Sequence, residues 1–188
     1  MTYAQIKQLA LRQLDEDPHD MDEFGDLLGL YVNEGYQTAL IDHVKPREVY
    51  TLKTDKDGKA DLSGIRVRQI ASVVDSKTGF NAWAEMDSTG ETLHTAVRDG
   101  EIKLTALVTY TDMTGEADEP RLPSWAHTAL ADYACYRYLS NGNMAKQSKA
   151  QFYLQSFLGR MSQLRPQAMG SVTTMHNLYT VTDARYVR

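Results

Sequence analysis

The hydrophobic period of this chain changes twice, and the order of those changes limits what it can fold into. Residues 3–42 repeat at helical spacing, residues 48–112 alternate as short strands, and residues 123–164 return to helical spacing. A polar stretch of about 24 residues follows, from Arg165 to Arg188. Neither helical half carries enough apolar surface to stand alone, so the two must meet in space. The strand-rich middle is then an insertion in one small helical body. The predicted fold class is α+β: a four-helix body, an antiparallel sheet or small sandwich inserted between helices 2 and 3, and an extended C-terminal arm. The divisions fall at 1–47, 48–120, 121–166 and 167–188.

Thr2 and Gln5 have the spacing of a capping box, and Ile6, Leu9, Ala10 and Leu14 follow at helical intervals. The acidic run Asp15–Asp20 interrupts that helix, and Asp20 with Glu23 forms a second capping pair. Phe24, Leu27, Leu28, Tyr31, Val32, Tyr36, Ala39 and Leu40 then make a broad apolar stripe. Gly25, Gly29 and Gly35 lie within it. Each costs about 1 kcal/mol relative to alanine, which is tolerable where a neighbouring helix or subunit packs closely. Pro46 ends the segment. In the last third, Ser124 is the expected N-cap. Trp125, Ala129, Leu130, Tyr133, Ala134, Arg137 and Tyr138 share a helical period, and Asn141-Gly142-Asn143 breaks it. Ala150, Tyr153, Leu154, Phe157, Leu158, Met161 and Leu164 mark a fourth helix that ends at Pro166.

Between the helical halves, Val49–Lys53, Ile65–Asp75, Phe80–Glu85, Thr92–Val97 and Ile102–Tyr110 read as strands. Asp55-Lys56-Asp57-Gly58 and Ser76-Lys77-Thr78-Gly79 are turns, and Arg98-Asp99-Gly100 joins the last two strands. Thr114–Pro120 is an acidic loop.

The net charge of −5 conceals a split. Residues 1–48 carry 4 Lys and Arg against 10 Asp and Glu, residues 49–120 carry 8 against 13, and residues 121–188 carry 8 against 2. An acidic front and a basic last third allow neighbouring copies to attract head to tail, a contact that closes into rings. The same charges also allow the basic third to fold back on the acidic helices of its own chain. The acidic balance argues against tight nucleic-acid binding, which needs basic patches.

Few residues point to chemistry. Asp55, Asp57, Gly58 and Asp61 have part of a calcium-loop pattern, but Arg66 stands where a bidentate glutamate belongs and strands flank the loop, so it reads as a hairpin turn. His19, His43, His94, His127 and His176 have no His or Cys partner at helical ligand spacing. His127 lies near Asp132 without a recognisable nucleophile. No phosphate-binding glycine loop or nucleophile elbow is present. No catalytic, metal or cofactor residues are assigned, and the chain does not read as an enzyme. Cys135 is the single cysteine, read as a small buried hydrophobe in a fold that needs no disulfide. No stretch is long and apolar enough to span a bilayer, and the first residues do not resemble a signal peptide.

The run Leu122-Pro123-Ser124-Trp125-Ala126-His127-Thr128-Ala129-Leu130-Ala131-Asp132-Tyr133-Ala134-Cys135-Tyr136-Arg137 resembles a helix of the head-to-tail adaptor (connector) proteins of tailed bacteriophages. The shared features are a Leu-Pro followed by an aromatic and an Ala-Leu-x-x-Tyr-Ala core. Ala150–Leu158 is similar to the following helix of that group, and the order of elements agrees over most of the chain. The resemblance implies a ring of subunits, usually twelve, docked beneath the portal protein at the head–tail junction of the virion after synthesis in the host cytoplasm. Such a ring extends the DNA channel, lets DNA pass without sequence-specific binding, and offers a platform to a tail or tail-completion protein. It implies no cofactor and no membrane. The C-terminal arm is then expected to order on the portal or a neighbouring subunit, with Leu178, Tyr179, Tyr186 and Arg188 as contacts and Arg185 pairing an acid. The residues alone leave a second class open: a soluble protein- or ligand-binding module with a flexible C-terminal tether.

Overall fold

The chain folds as α+β in two units, Met1–Val44 with Thr109–Leu164 and Lys45–Val108. A computed structural model describes residues 1–16, 21–140, 142 and 144–164.

In the helical unit, α1 (Tyr3–Gln13) starts where sequence chemistry places it. The Thr2 hydroxyl accepts from the Gln5 amide and the Gln5 side chain accepts from the Thr2 amide, so the capping box is complete. Two further orphan amides at this helix start, those of Tyr3 and Ala4, donate to the carbonyls of Asp118 and Glu116 at 2.7 and 3.2 Å. The acidic loop thus docks on the positive end of α1, with Lys7 pairing Glu116 at 2.7 Å. The second helix, α2 (Met21–Thr38), buries Leu28, Val32 and Tyr36 and then widens into a π-helical turn, Ala39–Val44. Asp20, the expected cap of α2, lies outside the described residues. Leu27, placed on the apolar stripe by period, is substantially exposed, as none of the described elements covers that edge of the face.

The third helix, α3 (His127–Ser140), packs against α1, α2 and α4 (Met144–Met161) and is buried on nearly every side. Ala129, Ala131 and Ala134 let three neighbours approach it at once. A short 3₁₀ turn, Ser124–Ala126, precedes α3. Ser124 is not the cap: Pro123 holds that position, and no side-chain cap bond forms. The tighter turn also leaves Trp125 about half exposed rather than in the core. Ala150, Tyr153, Phe157 and Met161 form the buried face of α4, while Leu158 points to solvent. The helix stops at Met161, before the expected end at Pro166.

Two of the three glycines in α2 are explained by close packing. A Cβ on Gly35 would lie 2.9 Å from the Tyr133 side chain, and one on Gly29 would collide with the Tyr3 hydroxyl. Tyr133 in turn packs edge-on against Phe157 and Tyr136, at centroid distances of 4.9 and 5.7 Å, and its hydroxyl donates to Glu34 at 3.1 Å. Side chains of α2 also fix the chain that returns from the strands. Asn33 exchanges two hydrogen bonds with the Met113 backbone, at 2.9 and 3.0 Å, and Gln37 donates to the Tyr110 carbonyl at 3.0 Å. Residues 109–122 therefore run with the helices.

The second unit holds two three-stranded antiparallel sheets. One has the order β1 (Arg47–Lys53), β6 (Glu101–Val108), β3 (Val67–Asp75); the other has β2 (Lys59–Asp61), β5 (Thr92–Thr95), β4 (Ala84–Met86). Central strand β6 alternates cleanly, burying Ile102, Leu104, Ala106 and Val108, and pairs Val49 with Thr105 and Val73 with Leu104 on either side. Strands β5 and β6, adjacent in sequence across Arg98–Gly100, belong to different sheets. The expected return strand at Phe80–Glu85 is mostly irregular, with a single bridge at Asn81 before β4 begins at Ala84. Its backbone instead bonds to Val73 on one side and to Ala96 on the other.

Gly35→Ala is expected to lower the unfolding free energy by about 1–3 kcal/mol, the usual cost of overpacking. Gly159→Ala in α4, where nothing among the described residues lies within 4 Å of the added methyl, should raise it by up to about 1 kcal/mol. Urea unfolding of the two variants measures both, and effects of the same sign would contradict the packing account.

Candidate functional site

The buried polar groups of the helical unit hold helices together. Asp132 on α3 accepts from Gln13 of α1 at 3.1 Å and from Ser156 of α4 at 2.7 Å, with Arg160 at 3.9 Å. The Cys135 thiol donates to the Gln13 side chain and the Ala10 carbonyl, and the Tyr153 hydroxyl donates to the Gln13 carbonyl at 2.7 Å. Three helices thus share one satisfied network at the C-terminal end of α1. His127 is also buried, with its Nε2 at 2.9 Å from the Leu122 carbonyl; its hydrogen bonds and those of Asp132 go to different partners.

The aspartate loops are turns. Asp55 accepts from the amides of Lys59 and Asp57 at 2.8 and 2.9 Å, and Gly58 at φ 77° presses so close to the Thr95 carbonyl that no side chain fits. The Lys59 amide first, then that of Asp57, holds the Asp55 carboxyl below the usual carboxylate range. Ser63, Lys77 and Gly115 supply the leading backbone donors that do the same for Asp61, Asp75 and Asp118. Among the described residues, no group of three or more His, Cys, Asp or Glu side chains converges to hold a metal ion.

What the two units present outward is apolar and charged surface. Leu30 on α2, Met144 and Phe152 on α4, and Val49, Phe80 and Trp83 in the strand unit each leave more than half of their area in solvent. Scattered leucines are ordinary, but large aromatics in solvent are the residues that anchor protein interfaces. On the helical unit a groove of about 490 Å³ runs along α2 and its π-helical turn, lined by Leu30, Glu34, Gln37, Asp42, Asp112 and Arg137 among others. Arg137 Nε lies 2.9 Å from Glu34 Oε2, close enough for an ion pair, yet its N–H is not aimed at that oxygen and finds no hydrogen-bond acceptor among the described residues. The guanidinium stands 5.6 Å from the centre of the Tyr31 ring.

Leu178, Tyr179, Arg185, Tyr186 and Arg188, the contacts expected of the C-terminal arm, lie outside the described residues. The aromatic series Tyr133, Tyr136, Tyr138, Tyr153 and Phe157 is packed in or against the helical core. The groove was not legible in the sequence. Leu30, Glu34, Gln37 and Asp42 do share a helical face, but nothing in their spacing reveals that Asp112 and Arg137 complete the lining.

Burial pushes the Cys135 thiol up to about 12 from its ordinary 9.0, with the Asp132 carboxylate adding to the effect. A folded-state value above the unfolded one leaves stability intact below about pH 9 and removes it as pH rises toward 12, by roughly 1.4 kcal/mol per pH unit for one proton. Burial raises Tyr3, Tyr36, Tyr133 and Tyr153 as well, which extends the loss to higher pH. The urea midpoint is therefore expected to fall above about pH 9, and Cys135→Ala should remove the earliest part of that fall. A midpoint independent of pH between 8 and about 11 would refute this.

No protein-family model matches this chain, and no curated protein sequence matches it.

Proposed function

We propose that the chain is a structural head-to-tail adaptor of a tailed bacteriophage. Twelve copies form a ring beneath the portal, extend the DNA channel and provide the platform on which the tail or a tail-completion protein attaches. The arm, residues 167–188, docks on the portal or on a neighbouring subunit. The observation that carries this reading is the outward placement of large apolar side chains on both units, Leu30, Met144 and Phe152 on one and Val49, Phe80 and Trp83 on the other. Surfaces of that kind suit a protein that is covered on several sides by others. The polar groups of the helical core support it too, because they are engaged in joining helices rather than grouped around a cleft. The segments that resemble the adaptor group, Leu122–Arg137 and Ala150–Leu158, supply the central helix α3 and its partner α4. An acidic channel wall would let DNA slide, since like charge repels the phosphates.

Light scattering on the purified chain, alone and mixed with a candidate portal, tests this. A species of roughly twelve times the 21.2 kDa chain mass is expected, on its own or on the portal. A strict monomer that ignores the portal would overturn the reading in favour of a tethered binding module. Deleting residues 168–188 is expected to leave a folded chain with weaker docking; a truncated chain that assembles as strongly as the full one would remove the arm's role.

A further inference from the structure

The groove on the helical unit has a composition that selects an occupant. Its lining carries Glu34, Asp42 and Asp112 against one arginine, Arg137. Glu34 and Asp112 are partly engaged, by Arg137 and by Gln37 at 2.7 Å, while Asp42 is exposed and has no ion-pair partner among the described residues. Apolar contact is offered beside these charges by Leu30, which is 63% exposed, and by the partly buried Tyr31. From Leu30 to Asp42 the lining follows one helix face for roughly 17 Å, long enough for an extended segment of about five residues. A groove of this kind fits a short segment with two cations, an aromatic or leucine beside them, and one acid to meet Arg137.

The chain contains such a segment beyond Leu164. Leu178-Tyr179-Thr180-Val181-Thr182-Asp183-Ala184-Arg185-Tyr186-Val187-Arg188 places two arginines around Tyr186, with Asp183 just before them. The 24 residues after Leu164 can span roughly 80 Å when extended, far more than the height of a four-helix unit. Reach therefore does not restrict the segment to its own subunit. In a ring, a segment that filled its own groove would contribute nothing to closure, whereas one that crosses to the next copy ties each subunit to its neighbour.

We propose that the acidic groove along α2 and its π-helical turn is the receptor for residues 183–188 of the neighbouring copy. This rests on the ring reading and selects between the two docking places left open for the arm. Arg185 and Arg188 meet Asp42 and Asp112, Asp183 meets the Arg137 side chain, which is 40% exposed, and Tyr186 lies against Leu30 and Tyr31. The contact is heterologous, groove to arm, and so repeats around a closed ring.

Two single variants of the full chain, Leu27→Cys one turn before Leu30 and Val187→Cys beside Tyr186, are mixed and assembled, alone or on the portal, then treated with a short bifunctional maleimide. Native Cys135, fully buried, stays silent in the folded chain. The expected result is a covalent dimer of unlike copies within ring-sized particles. Adding Asp42→Lys to the groove copy should lower its yield at least fivefold, and Arg188→Glu in the arm copy should restore it. That reciprocal rescue separates lost complementarity from lost folding. Rings of full mass without the unlike dimer, or a double variant that cross-links only within one chain, would overturn the proposal and leave the adaptor reading standing. Absence of any ring-sized species would overturn both.

Discussion

The helical unit depends on one close approach. Tyr133 of α3 packs against the backbone of α2 at Gly35, in space that a single methyl group would occupy. From there it reaches Phe157 on α4, Tyr136 on its own helix and Glu34 on α2. The residues it joins are separated in sequence by the whole strand unit. Closing that long loop costs conformational entropy, and a large buried aromatic ring with several partners is a means of offsetting it. A glycine that weakens α2 as an isolated helix is thus the residue that lets the two helical halves meet.

A second set of contacts controls where the chain re-enters the helical unit after the strands. Asn33 and Gln37 hold the backbone at Met113 and Tyr110, the Tyr36 hydroxyl accepts from the Arg121 amide, and the loop carbonyls at 116 and 118 cap α1. A connecting segment with few hydrophobic residues is positioned by side-chain amides that act as extra backbone partners. The same face of α2 continues into the π-helical turn and the groove. Fixing the return path and building the groove are consequences of one helix surface, because Gln37 bonds both the Tyr110 carbonyl and Asp112.

Much of the fold was legible from period and capping chemistry. Thr2 and Gln5 start α1, Asn141–Asn143 separate α3 from α4, and the alternation of Ile102, Leu104 and Ala106 marks a strand with one buried face. Period failed where a face is wider or narrower than its neighbours require. Leu27 and Leu158 match the helical repeat but lie at the edge of it, and Trp125 falls in a tighter turn with a different rotation per residue. Sheet membership was also beyond period: β5 and β6 look like a hairpin, yet β5 pairs with β2 and β4 while β6 pairs with β1 and β3. Of the candidate site, the arm residues were nameable from sequence, while Asp112 and Arg137 joined the groove only through the packing of α3 and of the 109–122 segment on α2.

The sequence by itself determined the α+β order, the insertion of strands between helical halves, the turn aspartates and the charge split. These follow from local rules: side-chain periodicity, backbone conformation at glycine and proline, and hydrogen bonds spanning a few residues. Only the tertiary structure decided that α3 is the buried centre, that Gly35 is a contact point, that the strands divide into two sheets, and that an acidic groove opens along α2. Each of those depends on which distant surfaces meet, and a pattern of residues along one chain specifies a face without naming the face it will cover.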